Sequence, residues 1–204
     1  NGMEAAILKL AAANVPVLGI CGGYQMLGES IEDPDGEEGG GSLHGMGLLP
    51  VRTVFGKEKV QTRVTGEILQ NPGAGDGLFA ALSGSVFSGY EIHMGHTTGN
   101  GKNSFSRIRT LTNGSTEAEE DWQADGAVCG NVAGTYVHGL FEDGSLTKNL
   151  CGALLSKKGI CAEALTQDYG AFKESQYDLL AEKVRKALDM EQIYRMMEKQ
   201  EGDR

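Results

Sequence analysis

The sequence predicts an α/β layered fold, and three observations carry that expectation. Residues 3–13 place Ile7, Leu8, Leu10 and Ala11 at helical spacing, and residues 15–20 then form a short run apolar on both faces, as a parallel strand covered on two sides requires. The run ends in "CGGY" and a second helical stretch, 24–30, so helix, strand, tight turn and helix follow one another. Far downstream, "DGAVCG" and "NVAGTYVHGLF" read as a hairpin turning at Gly130 and Asn131, whose second strand ends at His138.

The remaining elements follow in chain order. Asn14 suits the C-terminal cap of the first helix. The acidic, glycine-rich segment 32–45, "EDPDGEEGGGSLHG", predicts a mobile surface loop or a lid over a site. From Gly47 the character becomes strand-like in four runs, "GLLPVRTVF", "VQTRVTGEI", "SVFSGYEIHMGHT" and "SFSRIRTLT", where Val, Thr, Arg and Phe alternate as in strands with one wet face. The last third is helical, and Leu180, Val184, Ala187 and Leu188 make one apolar stripe that predicts core packing. No internal repeat and no dividing linker is visible, so residues 1–204 read as one domain.

Composition narrows the classes of function. A chain of 204 residues with 40% hydrophobic and 23% charged residues has the make-up of a soluble globular protein, and no apolar run approaches the roughly 18 residues of a membrane span. A formal charge of −10 argues against a nucleic-acid surface, which draws its affinity from clustered Lys and Arg. Cys21, Cys129, Cys151 and Cys161 show no CxxC spacing, which predicts reduced thiols in a cytoplasmic protein. The opening residues read as the middle of a helix without an initiator region, and this predicts a piece of a longer polypeptide.

Cys21 is the first candidate for chemistry. Gly19, Cys21 and Gly23 fit a G-x-nucleophile-x-G elbow, a strained strand-to-helix turn that pushes a side chain outward while small neighbours avoid collision. The amide end of the following helix would favour the thiolate, which is the attacking species. The local pattern equally allows a small buried cysteine packed among glycines. A thiol nucleophile needs a base, and the histidines are His44, His93, His96 and His138. His44 lies in the expected loop. Glu91 and His93 share one strand face, either at a solvated strand end or as a substrate wall. His138, at the end of an apolar strand and followed by glycine, is the best general-base candidate, because a parallel sheet collects its chemistry at the carboxyl edge. The histidines and cysteines do not form a cluster with metal-ligand spacing, so no metal is expected.

Five stretches in order, "GICGGYQMLG" (19–28), "GLLPVRT" (47–53), "GYEIHMGHT" (89–97), "DGAV" (125–128) and "GTYVHGLFED" (134–143), resemble the class I glutamine amidotransferase domain of cobyric acid synthases. The likeness runs from about residue 15 to the final helix. It implies a three-layer, flavodoxin-like α/β sheet lacking its N-terminal strands, in the C-terminal part of a longer synthase. It implies that Cys21 attacks the side-chain amide of glutamine, that His138 moves the protons, that the Gly22 amide contributes to the oxyanion hole, and that Gln25 helps hold the substrate. Glu91 and His93 would also face that substrate. No cofactor is implied for the glutaminase domain itself. ATP and Mg2+ are implied for an absent synthetase domain, the expected partner, which would carry a corrinoid acceptor.

Two departures qualify the likeness. Many class I amidotransferases place a glutamate two residues after the histidine, where this chain has Leu140, so a Cys-His dyad is expected and Glu142 is not promoted to a third member. The upstream strands and the loop expected to supply a second oxyanion donor are missing, which predicts weak hydrolysis by the chain alone. Rival readings are a glutaminase serving another acceptor, such as lipid II or cobyrinic acid, and a non-catalytic docking module of the same fold.

Overall fold

The computed structural model describes residues 2–75, 77–99, 101, 103–111, 122–142, 144–161 and 169–201. The chain forms two compact units, Asn1–Leu165 and Thr166–Arg204. Thr112 and Asp143, the last residues of two of the quoted sequence stretches, lie outside the described residues.

In the first unit, α1 (Met3–Ala12) closes on Asn14, which adopts φ 59° as expected of a C-terminal cap. The amides of Asn14 and Val15 return to the carbonyls of Ala11 and Leu10 at 3.0 Å each. β1 (Val17–Ile20) follows and leads into α2 (Gly22–Leu27). β1 pairs in parallel with β9 (Val132–Thr135), which forms a hairpin with β8 (Ala127–Cys129). Cys129 faces Val132 across a two-residue turn at Gly130 and Asn131, as the sequence predicts. The Asn131 side-chain amide donates to the carbonyls of Ala11 and Val15 at 3.0 and 2.7 Å, locking the hairpin tip onto the end of α1.

The second sheet is built around two long antiparallel strands, β4 (Arg52–Ile68) and β5 (Val86–Thr98). The order β10-β5-β4-β2-β3 runs across it, where β2 is Ser30–Asp33, β3 is Gly41–His44 and β10 is Val137–His138. β6 (Ser106–Thr110) pairs with the far end of β4, and β7 (Gln123–Asp125) pairs with β6. The main core collects Val64, Ile68, Phe79, Phe87, Val137 and Leu140; a second cluster joins Tyr24, Leu27, Leu49, Val51, Val132 and Tyr136. Leu49 and Val51 are fully buried, each worth roughly 1.5–3 kcal/mol in removal from water. α3 (Gly144–Lys157) closes this unit, with Leu146 in the main core.

The structure corrects four local expectations. Segment 32–45 is not an open loop, because β2 and β3 pair antiparallel from Ser30–His44 to Asp33–Gly41. The turn between them is organised by Asp33, whose carboxylate accepts from the amides of Glu37, Glu38 and Gly40 at 2.9, 2.8 and 2.8 Å. Desolvation works against its charge, but these backbone donors outweigh it and hold the carboxyl below its ordinary range. His44 therefore ends an exposed strand. Second, "GLLPVRTVF" and "VQTRVTGEI" are one strand: β5 pairs on both sides of the irregularity between Phe55 and Val60, and this shared ladder overrides the local turn signal of Gly56.

Third, a run apolar on both faces suits a central parallel strand, whereas among the described residues β1 has one strand partner and stands at a sheet edge. Leu18 and Ile20 on one face of β1 line an apolar groove of about 470 Å³ with Phe79, Leu140 and Leu150 among others. Fourth, the stripe Leu180, Val184 and Leu188 is exposed rather than packed. These residues lie in the second unit, which contains α4 (Tyr169–Ala187) and α5 (Met190–Glu201). Asp189 caps α5 by accepting from the amide of Gln192 at 3.0 Å, and the pairs Glu182–Lys186 and Glu191–Arg195 brace exposed helix faces one turn apart. No helix among the described residues is long and apolar enough to cross a membrane.

Candidate active site

The site begins where β1 turns into α2. Cys21 caps that helix with φ 54° and ψ −115°, a conformation costing a side-chain-bearing residue on the order of 1–3 kcal/mol. The turn is tight on its strand side. A Cβ on Gly19 would sit 2.6 Å from Leu27 Cδ1 and 2.7 Å from the Gly23 carbonyl. On the helix side, a Cβ on Gly22 or Gly23 would meet nothing within 4 Å. The elbow thus demands glycine before the cysteine, and the steric need expected on both sides exists on one. Cys21 Sγ points to β5 and donates to the Ile92 carbonyl at 3.5 Å. All four cysteines are free.

His138 reaches this region through β9 and β10. The Cys21 amide donates to the Thr135 carbonyl at 2.9 Å, continuing the β1–β9 ladder to the elbow. The chain then bends at Tyr136 and leaves the first sheet, so that Val137 and His138 pair with Glu91 and Tyr90 of β5. β5 therefore contacts the thiol through Ile92 and the histidine strand through Tyr90. His138 Nε2 is buried with no hydrogen-bond partner among the described residues. Buried ring nitrogens are ordinarily hydrogen-bonded, so this one stands out in the fold.

The residues singled out on the β5 side form a hydrogen-bonded assembly. His93 Nδ1 lies 2.7 Å from the Gly95 carbonyl, which can only accept, so Nδ1 carries a proton. His93 Nε2 lies 2.8 Å from Glu91 Oε1, so both ring nitrogens are engaged. The imidazole stacks on Tyr136, with ring centroids 3.8 Å apart and planes 17° from parallel. The side chains of His93 and Glu91 are only 9% and 17% exposed, so neither stands at a solvated strand end. Gln25 is buried, and its Nε2 donates to the Tyr136 hydroxyl at 3.2 Å. That hydroxyl also bonds Thr97 Oγ1 at 2.5 Å, which meets Thr53 Oγ1 at 2.7 Å. Burial, first of all, pushes the Tyr136 phenol above its ordinary range, against the pull of these hydrogen bonds.

The sequence analysis assigned no role to Tyr136, although it stands inside the quoted stretch "GTYVHGLFED". An aromatic beside the expected base was the available signal, but its links to Gln25, Thr97 and His93 depend on pairings no local spacing displays. The Gly22 amide, proposed oxyanion donor, begins α2 next to the thiol. Among the described residues no group of three His, Cys, Asp or Glu could hold a metal ion.

Comparison with known proteins places this geometry. The profile of the CobB/CobQ-like glutamine amidotransferase domain matches residues 1–146. The chain belongs to that family. The resemblance read from "GICGGYQMLG" and "GTYVHGLFED" is thereby borne out. Over 202 residues the chain is 44% identical to a cobyric acid synthase of Lachnoclostridium phytofermentans, covering 97% of this chain and 39% of that protein. It is 46% identical over 200 residues to a cobyric acid synthase of Ruminiclostridium cellulolyticum, covering 97% and 37%. The chain thus spans less than two-fifths of the length of these relatives. A glutamine amidotransferase structure from Thermotoga maritima aligns with a TM-score of 0.38 at 19% identity, covering 87% of this chain and 64% of that one.

Proposed function

We propose that this domain hydrolyses glutamine at Cys21 and supplies the ammonia to a synthetase domain that amidates a corrinoid. The observation that carries the proposal is the strained elbow at Cys21, joined by one backbone hydrogen bond to Thr135, three residues before His138, whose Nε2 is buried with no partner among the described residues. A non-catalytic module has no use for a positive-φ cysteine or for a buried imidazole nitrogen without a partner.

In this mechanism His138 takes the Cys21 proton and sulfur attacks the carboxamide carbon of glutamine, forming a tetrahedral oxyanion. The Gly22 amide donates to that oxygen, a contribution typically worth about 3 kcal/mol. His138 then gives its proton to the departing nitrogen, ammonia leaves and a glutamyl thioester remains. Water attacks the thioester, its proton passes to His138, and glutamate and the thiol are regenerated. Glu91 and His93 wall the substrate's amino-acid end, while Gln25, tied to Tyr136 through Nε2, presents its remaining amide groups to it. The ammonia would attack acyl phosphates made with ATP and Mg2+ on peripheral carboxylates of adenosylcobyrinic acid a,c-diamide, giving cobyric acid. ATP and Mg2+ belong to the synthetase domain, and no residue of this chain is assigned to them. A cytoplasmic setting accords with such a biosynthetic role.

The test is glutaminase turnover, read as glutamate and ammonia, with the domain expressed together with any adjoining synthetase region. Cys21→Ala should be inactive, and His138→Asn should lose about 10²–10⁴-fold in kcat with little change in KM. Turnover by Cys21→Ala equal to that of the unchanged protein would sink the assignment. Mass spectrometry of the acceptor, following each acid as it becomes an amide, checks the corrinoid.

A further inference from the structure

Asp125 is buried at the junction of the two sheets, and the proposed chemistry makes no use of it. It ends β7 and faces Ser106 of β6. At Gly126 the chain crosses from the second sheet into the first. That crossing admits only glycine, since φ is +69° and a Cβ would lie 2.0 Å from the Gly134 carbonyl oxygen. The second crossing, from β9 to β10, passes directly alongside at Thr135 and Tyr136. Asp125 joins the two: Oδ1 accepts from the Tyr136 amide at 3.1 Å, and Oδ2 accepts from Thr135 Oγ1 at 2.6 Å and Ser106 Oγ at 2.7 Å. The Thr135 hydroxyl in turn accepts from the Val137 amide at 3.0 Å.

One peptide unit gives this arrangement its meaning. The Thr135–Tyr136 peptide offers its carbonyl to the Cys21 amide and its N–H to Asp125. The same carboxylate, through Thr135 Oγ1, fixes the amide of Val137, the residue before His138. We infer that Asp125 is a positioning residue that sets the nucleophile elbow and the base strand in register with each other; this rests on the assignment of Cys21 and His138 given above. The carboxylate accepts three hydrogen bonds, and an amide in its place has one oxygen and would turn a donor toward one of those three donors. Burial pushes the Asp125 carboxyl above its ordinary range while the hydrogen bonds from Thr135, Ser106 and Tyr136 pull it back, as a retained but fully satisfied buried acid requires. A device that only stabilised the sheet junction would affect folding alone; one that sets register affects turnover of the folded protein.

The experiment compares Asp125→Asn and Thr135→Val with the unchanged protein, expressed with any adjoining synthetase region, for kcat and KM with glutamine. Circular dichroism confirms folding, and Cys21→Ala runs in parallel. The expected result is a 10- to 100-fold loss in kcat with KM held within about threefold in a folded Asp125→Asn protein, and Thr135→Ser recovering most of what Thr135→Val loses. A folded Asp125→Asn protein with kcat within threefold of the unchanged protein, while Cys21→Ala is inactive, overturns the positioning role alone. Full turnover by Cys21→Ala overturns the underlying catalytic reading and this inference with it. If Asp125→Asn does not fold, Thr135→Val decides: unchanged kcat refutes the proposal, and a kcat loss restored by Thr135→Ser supports it.

Discussion

Replacing Cys21 by glycine should stabilise the protein relative to replacing it by alanine. Both changes remove Sγ and its contact with the Ile92 carbonyl, so the comparison isolates the Cβ. At φ 54° and ψ −115°, alanine keeps the steric strain of on the order of 1–3 kcal/mol, and glycine relieves it. Glycine gives back about 0.5–1 kcal/mol through the greater freedom of its unfolded chain. The net advantage to Cys21→Gly is about 1 kcal/mol, which for a chain of this length raises the melting midpoint by roughly 2–4 °C. Differential scanning calorimetry of the two inactive variants at one pH and concentration measures it. A Cys21→Gly midpoint at or below that of Cys21→Ala would refute the claim that the elbow stores strain at the nucleophile. The stabilisation would also show that the side chain at Cys21 is held at the expense of stability.

Two other tests bear on the same turn and on its neighbour. Gly19→Ala should prevent folding of the elbow or abolish glutaminase turnover, because its Cβ collides with Leu27 and Gly23, whereas Gly22→Ala, entering open space, should fold and retain kcat within a few-fold; soluble yield and kcat check both. The β2–β3 turn should be acid-sensitive. Asp33 has a lowered carboxyl pKa in the folded chain, so its contribution is fully present above the ordinary carboxylate range and is lost as pH falls through the folded value. Protection of the Glu37, Glu38 and Gly40 amides, relative to the intrinsic exchange rate at each pH, should therefore fall on acidification, and Asp33→Asn should remove that pH dependence; protection that stays flat with pH would contradict the assignment.

What could be read from the sequence was what local spacing decides. The Gly130–Asn131 hairpin was visible because a two-residue turn has its own chemistry, and the elbow was visible because glycine and cysteine sit within a few positions of one another. The joining of two predicted strands into β4 was not visible, because Gly56 signals a turn and only the distant β5 ladder overrules it. Segment 32–45 looked like a loop for a related reason: its order comes from Asp33 reaching forward to amides several residues away. In the candidate site, Cys21 and His138 stood out by residue type, whereas Asp125 and Tyr136 did not, since Asp125's partners lie on β6, on β9 and in the bend after it, and Tyr136's partners come from α2, β5 and β7. The steric role expected of Gly22 and Gly23 failed because a motif records residue identity, while the space around a Cβ belongs to the folded neighbours.

The peptide between Thr135 and Tyr136 also sets an order of events. Cys21 is made early in synthesis of the first unit and Thr135 late, and only the docking of β9 beside β1 gives the elbow its backbone anchor. Such distant pairings form after the loop between them has closed, and they are slow. A growing chain therefore lacks this anchor at Cys21 until β9 has emerged. Any chemistry proposed at Cys21 is in this way tied to completion of the fold.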